Sequence, residues 1–239
     1  MVLTNLIFNS LISNFIFSYY FINYFPILYY WLKKDKFMRL RKKKNVGIFI
    51  FDLVEVLDFS GPYEVFSSTR LTKKSSALIQ KLPHAFNVFT FSEKKKYISA
   101  SGGLKVKSDF IFKNCPFLDV LVIPGGIGTR KILDNKKVLN WLWLNKNVNI
   151  IASVCTGSLL LAKAGLLKKK RATTHWGALE LLKKISPSTI IIKKNKYVFD
   201  KYYTSAGVAT GIDMSLRIVE NIYGRTIAKN TAKYMEYKY

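Results

Sequence analysis

Cys155 stands in IASVCTGS (residues 151–158), where an apolar, strand-like run stops abruptly and Thr156, Gly157 and Ser158 follow. A sharp strand-to-helix turn lifts a side chain out of the sheet, and the free amides and positive end of the next helix then face it. Both effects favour thiolate over thiol, so the position predicts a nucleophile. A buried core cysteine is the competing reading, since that is where most free cysteines lie.

Two other stretches carry polar groups in the same kind of setting. VEVLDFSGPYEVF (54–66) places Asp58 among Val, Leu and Phe, just ahead of Ser60, Gly61 and Pro62, with Glu55 and Glu64 as competing carboxylates. A carboxyl group beside a thiolate in a half-dry pocket is pushed to higher pKa by repulsion and desolvation, which keeps a proton available for general-acid work. Helix capping by Asp58 or Ser60 would explain the same residues. In VIPGGIGTR (122–130), Gly125 and Gly126 let the backbone approach a ligand closely and offer amides to a developing negative charge. A bare tight turn is the alternative.

Short β-rich runs alternate with helical patterns from residue 45 onward, which predicts βα units, a parallel sheet and helices on both of its faces. Strands are expected at 46–51, 87–92, 118–124, 148–154, 171–174 and 188–192, with a hairpin over 97–107 turning at Gly102 and Gly103. Helices are expected at 62–70, 138–144, 156–164, 176–185, 211–223 and 225–235. Ligands of such a sheet collect at the carboxyl ends of its strands. Cys155, Asp58 and the Gly125–Gly126 pair all follow a strand.

The 239 residues suffice for one full domain and an appendage, read as residues 1–44 and 45–239. Two cysteines, Cys115 and Cys155, are too few for a disulfide framework and match no zinc spacing, which implies a reducing compartment. The formal charge of +25 comes largely from scattered Lys runs in an Asn-, Ile- and Phe-rich chain. No aromatic and basic groove motif accompanies it, so a solvated surface is favoured over a specific nucleic-acid partner.

Val2 to Leu32 contains no charged residue, and a basic cluster follows at Lys33, Lys34, Lys36, Arg39, Arg41 and Lys42 to Lys44. Two readings compete. Residues 3–32 form a membrane anchor, which by the positive-inside rule leaves the following domain cytoplasmic. Alternatively the start is over-extended and Met38 opens a cytoplasmic protein.

Taken together, VEVLDFSGPYEVF, PGGIGTR, SVCTGSLLLAKAGLL, RATTHW, SAGVATGIDMSLRIVE and YMEY resemble the ThiJ/PfpI family, and more closely its isonitrile hydratase-like branch, from about Val46 to the C-terminus. The resemblance implies a flavodoxin-like α/β three-layer sandwich with a mostly parallel sheet, class I glutamine amidotransferase-like, in a homodimer with neither metal nor organic cofactor. It also implies a nucleophilic Cys155, a partner carboxylate at Asp58, and Thr156 as the residue that follows the cysteine in that branch. Peptidases of the family place His after the cysteine, so Thr156 argues against proteolysis. His175 falls where several members keep a His near the site; lining the pocket and packing the next helix are both open to it.

The expectation is thus a lyase that adds water to an isonitrile, with Cys155, Asp58 and Thr156 catalytic and Gly125, Gly126 and His175 near the substrate. Phe59 and Trp176 are candidate pocket walls, and Asp213 a candidate contact to substrate or dimer partner. A glyoxalase or deglycase acting on reactive aldehydes is the first alternative, and a non-catalytic binding or redox-sensing module the second. The sensor half of certain transcription regulators resembles this chain at LDFSGPYEVF and RATTHW; those carry a further helix-turn-helix region after it, which is not expected here.

Overall fold

In the computed structural model, residues 43–72, 82–94 and 97–239 are described. The centre of the fold is three strands whose sequences are continuous apolar runs: β1 (Lys44–Phe49), β6 (Val120–Ile123) and β7 (Ile150–Val154). Nearly every residue in them is buried, as strands covered on both faces require. Around them β2 (Phe86–Ser92), β5 (Phe110–Ile111), β10 (Tyr197–Phe199) and β11 (Tyr203–Ser205) complete a seven-stranded sheet of order β10-β11-β7-β6-β1-β2-β5. Every pairing is parallel except β10 with β11.

Helices cover both faces. On one side α1 (Val56–Ser68), α6 (Thr210–Tyr223) and α7 (Arg225–Tyr234) pack together. On the other lie α2 (Gly128–Ile132), α3 (Lys136–Leu144), α4 (Gly157–Lys163) and α5 (Leu179–Ile185). This is the expected α/β three-layer sandwich with a largely parallel sheet.

The hairpin of β3 (Tyr97–Ser99) and β4 (Lys105–Lys107) forms where expected, with Gly102 and Gly103 at φ of 70° and 84°. The runs RATT and STIII do not join the main sheet. They form a separate parallel pair, β8 (Arg171–Ala172) with β9 (Ile190–Ile191). Strands β5, β10 and β11 had no sequence signal, because two or three residues cannot show a period.

The first helix starts six residues earlier than Pro62 suggests. Glu55 opens it by accepting a hydrogen bond from Val56 N at 3.2 Å, and Pro62 lies inside the helix. Reading the proline as a first-turn residue misplaced the boundary. The consequence is chemical: Asp58 belongs to the first turn of a buried helix, not to a loop.

The expectation of membrane contact is corrected. Among the described residues no helix is long and apolar enough to cross a membrane. α6, with 14 residues, is the longest of the described helices and spans only about 21 Å against a hydrocarbon core of about 30 Å. Residues 3–32, on which the anchor and the anchored localisation rested, lie outside the described residues.

Candidate active site

Cys155 occupies the bend between β7 and α4 with a φ of 55°, a left-handed conformation that residues with a Cβ rarely adopt. Three hydrogen bonds hold the bend. Its N–H donates to Ser205 O on β11 at 3.0 Å, and its carbonyl accepts from Thr174 Oγ1 at 2.9 Å and Ser158 Oγ at 3.2 Å. Conformations of this kind persist where the surroundings over-determine them, and they cluster at functional sites. The residue is only 6% exposed.

Asp58 is fully buried in the first turn of α1. Its Oδ2 accepts from Gly125 N at 3.0 Å, while Oδ1 has no hydrogen-bond partner. The Cys155 thiol is close enough to act on it electrostatically without reaching hydrogen-bond geometry. Burial raises the carboxyl to about 7; the Gly125 amide and the thiol oppose that rise, and the Glu55 charge adds to it. Burial, followed by the Asp58 charge, pushes the Cys155 thiol up to about 12, with the Thr156 amide opposing.

Both shifts run toward the neutral thiol and the protonated carboxyl, the opposite direction to the sequence expectation of a thiolate. Helix α4 has only seven residues, and its end cannot offset both desolvation and a facing carboxylate.

The Gly125–Gly126 turn joins the two sides. A Cβ on Gly125 would stand 2.5 Å from Thr156 N and 2.9 Å from Asp58 Oδ2, so the close approach requires glycine. Gly126, at φ 116°, donates its N–H to Thr156 Oγ1 at 3.0 Å. Thr129 Oγ1 lies 2.7 Å from Gly126 O and 3.1 Å from Thr156 Oγ1, closing a buried network. Both glycine amides thus bond to Asp58 and Thr156 instead of standing free toward a ligand.

His175 sits apart from this network. Its Nδ1 accepts from Gly177 N at 3.2 Å, capping the short turn 176–178, and its ring lies 5.2 Å from that of Trp176. Trp176 is 80% exposed, whereas Phe59 is a core residue. Asp213 is held by Lys196 Nζ at 3.1 Å and Tyr237 Oη at 3.0 Å, within one protomer. Cys115 is half-buried at the end of a short turn, its thiol raised to about 11 by burial. Among the described residues no cluster of three His, Cys, Asp or Glu is placed to hold a metal ion.

Three contributors escaped sequence reasoning: Thr129, Thr174 and Gly207. Thr129 follows Gly126 by three residues and Thr174 precedes His175, yet only the folded chain shows that both reach the Cys155 segment. Gly207 abuts the cysteine from the loop after β11.

Comparison with known proteins agrees with this geometry. The model of the DJ-1/PfpI family matches residues 44–221. An isonitrile hydratase of Pseudomonas putida is 31% identical over 195 residues, 81% of this chain and 78% of that protein. An HTH-type transcriptional regulator of Pseudomonas aeruginosa, GbdR, is 27% identical over 58% of this chain but only 38% of its own length. Among solved structures, a ThiJ/PfpI family protein from Pseudomonas syringae superposes with a TM-score of 0.72 at 26% identity, covering 84% of this chain and 77% of that one. With the strand-to-helix cysteine, the buried aspartate and the glycine turn in one sandwich, the chain belongs to the DJ-1/PfpI family, also called ThiJ/PfpI.

Proposed function

We propose that this protein, an enzyme of the ThiJ/PfpI superfamily, is a cysteine-dependent hydro-lyase that converts an isonitrile and water into an N-substituted formamide. The observation that carries the reading is the fully buried Asp58 carboxyl, whose Oδ1 has no hydrogen-bond partner, within interacting range of the Cys155 thiol. The similarity to an isonitrile hydratase over most of both chains supports the choice of substrate class.

An isonitrile carbon accepts a proton and a nucleophile at the same atom. Protonated Asp58 gives its proton to that carbon, the sulfur of Cys155 adds to it, and the thiol proton passes to the Asp58 carboxylate. The product is a thioimidate, R–N=CH–S–Cys. Water then adds across the C=N bond, its oxygen to carbon and one proton to nitrogen; the C–S bond breaks as the hydroxyl becomes the carbonyl, its proton passes to sulfur, and R–NH–CHO leaves. An acid with a pKa of about 7 suits this relay, because both of its forms are populated at neutral pH.

In this proposal Thr156 orients the adduct through its backbone amide, since its hydroxyl is engaged with Gly126. Gly125 positions Asp58, Gly126 positions Thr156, and His175 shapes the rim through its neighbour Thr174. Association as a homodimer belongs to the same proposal and is checked by sedimentation.

The test is incubation with cyclohexyl isocyanide and, separately, methylglyoxal, beside Cys155→Ser and Asp58→Asn. Formamide made by the wild type alone supports the hydro-lyase. Turnover of methylglyoxal alone would replace it with the aldehyde chemistry, and turnover of neither with a non-catalytic module.

A further inference from the structure

The positive charge of the chain is not evenly spread. Residues 168–201 carry ten Lys and Arg side chains against two carboxylates, Glu180 and Asp200, whereas the whole chain has 39 against 14. The fold gathers these cations onto one surface. β8 and β9 pair in parallel, with Lys168 and Lys169 exposed just before the first strand and Lys193 and Lys194 exposed just after the second. Arg171 on β8 reaches the turn between β10 and β11: its N–H donates to Asp200 Oδ2 at 3.0 Å and its Nη2 to Phe199 O at 3.2 Å, which brings exposed Lys201 alongside. The last turn of α5 adds Lys183 and Lys184, tied in through Thr189 Oγ1, which donates to Leu167 O at 2.8 Å. With both carboxylates counted as anions and Lys196 paired to Asp213 at 3.1 Å, an excess of seven positive charges remains in this stretch.

An aromatic ring stands within the same surface. Phe199 is 51% exposed, with one face of its ring stacked on buried Tyr203 at 4.4 Å between centroids. Cations along a track hold successive phosphates, and a supported ring face receives an unpaired base. A polysulfate or an anionic lipid surface would use the charge alone, and a second copy of the chain would meet it with like charge. The juxtaposition comes from the pairing of β8 with β9 and from the hold of Arg171 on the β10–β11 turn, contacts between residues far apart in the chain.

We propose that this surface binds single-stranded nucleic acid without sequence preference, with phosphates on Lys168, Lys169, Arg171, Lys193 and Lys194 and a base stacked on Phe199. The proposal is independent of the chemistry assigned to Cys155.

The probe is a fluorescent oligothymidylate of about 15 nucleotides, the upper end of a compact single-strand site, titrated with the full chain and followed by anisotropy. Saturable binding is expected at about 50 mM salt, with a Kd on the order of 10 μM. About four phosphate contacts should make the affinity fall about 50-fold by about 200 mM salt. Lys193→Glu/Lys194→Glu should weaken binding by at least about tenfold and flatten the salt dependence. Lys229→Glu/Lys233→Glu, which removes as much charge from α7 across the sheet, should have a much smaller effect. Phe199→Ala should weaken the oligonucleotide by about tenfold and leave heparin binding unchanged, since only the nucleic acid has a base to stack. Cys155→Ser should bind as the wild type does. The proposal is overturned by absence of saturation up to about 100 μM, by equal effects of the two double variants, or by indifference of the oligonucleotide to Phe199→Ala. Binding of phosphatidylserine vesicles in place of the oligonucleotide overturns it in favour of a lipid surface.

Discussion

Gly207 packs directly against Cys155: a Cβ built on Gly207 would lie 2.5 Å from Cys155 Cβ and 3.1 Å from its Sγ. The glycine also holds a φ of 73°, so a side chain there is excluded twice, by space and by backbone conformation. The loop after β11 therefore closes one side of the thiol, and the cysteine must be reached from another. Gly207→Ala is expected to displace the sulfur and lower kcat/KM by at least about 100-fold, since small misplacements of a reacting group have large effects. The stability cost should stay within about 1–3 kcal/mol, the range for a strained backbone position. Steady-state kinetics beside thermal unfolding checks both.

Asp58 makes folding depend on pH in an unusual direction. Its pKa is raised, so the native state binds the proton more tightly than the unfolded chain and stability falls as pH rises from about 4 to about 7. Asparagine keeps an oxygen for the Gly125 amide and cannot ionise. Asp58→Asn should thus be nearly neutral for stability at about pH 4 and stabilising by as much as about 4 kcal/mol above about pH 8. Urea unfolding at the two pH values decides the matter; a pH-independent difference would show that the carboxyl is not buried as described.

The same proton governs the proposed chemistry. If protonated Asp58 supplies the proton to carbon, kcat/KM for an isonitrile should be flat on the acid side and decline as pH rises through about 7. A profile that climbs through that pH would instead make the carboxylate the active form.

Thiol reactivity separates the two causes of the raised cysteine. Burial comes first and the Asp58 charge second, with the thiol at about 12 when both act. In Asp58→Asn the burial remains and the charge is gone, so the pH midpoint of iodoacetamide alkylation should fall by roughly one unit, the usual effect of removing one nearby like charge. An unchanged midpoint would mean that the two side chains do not sense each other.

Local sequence carried the cysteine turn well, because an apolar run broken by Cys-Thr-Gly is a signal complete within eight residues. The parallel centre of the sheet was legible for the same reason: β1, β6 and β7 are buried on both faces and read as unbroken apolar runs. Proline misled at α1, where Pro62 was taken for a helix start and instead lies within the helix. The direction in which burial and Asp58 push the Cys155 thiol was not legible. It depends on how far Asp58 is buried and on which atoms face it, and those follow from contacts across 67 residues to Gly125. Gly207 was hidden likewise, since the loop that carries it meets the cysteine only through the pairing of β11 with β7.

Thr156 offers the sharpest separation of support from chemistry. Its hydroxyl accepts from Gly126 N in a fully buried setting, so removing it strands an amide whose desolvation costs about 1–3 kcal/mol. Its own backbone N–H, the group proposed to meet the adduct, survives any substitution except proline. Thr156→Val should therefore lower stability by about that amount. Thr156→Ser, which retains the oxygen, should restore most of it. Activity should follow the same order if the hydroxyl works by fixing the Gly125–Gly126 turn and, through Gly125, the Asp58 carboxyl. A serine variant that is stable yet inactive would show that the threonine methyl, rather than its oxygen, positions the reacting groups.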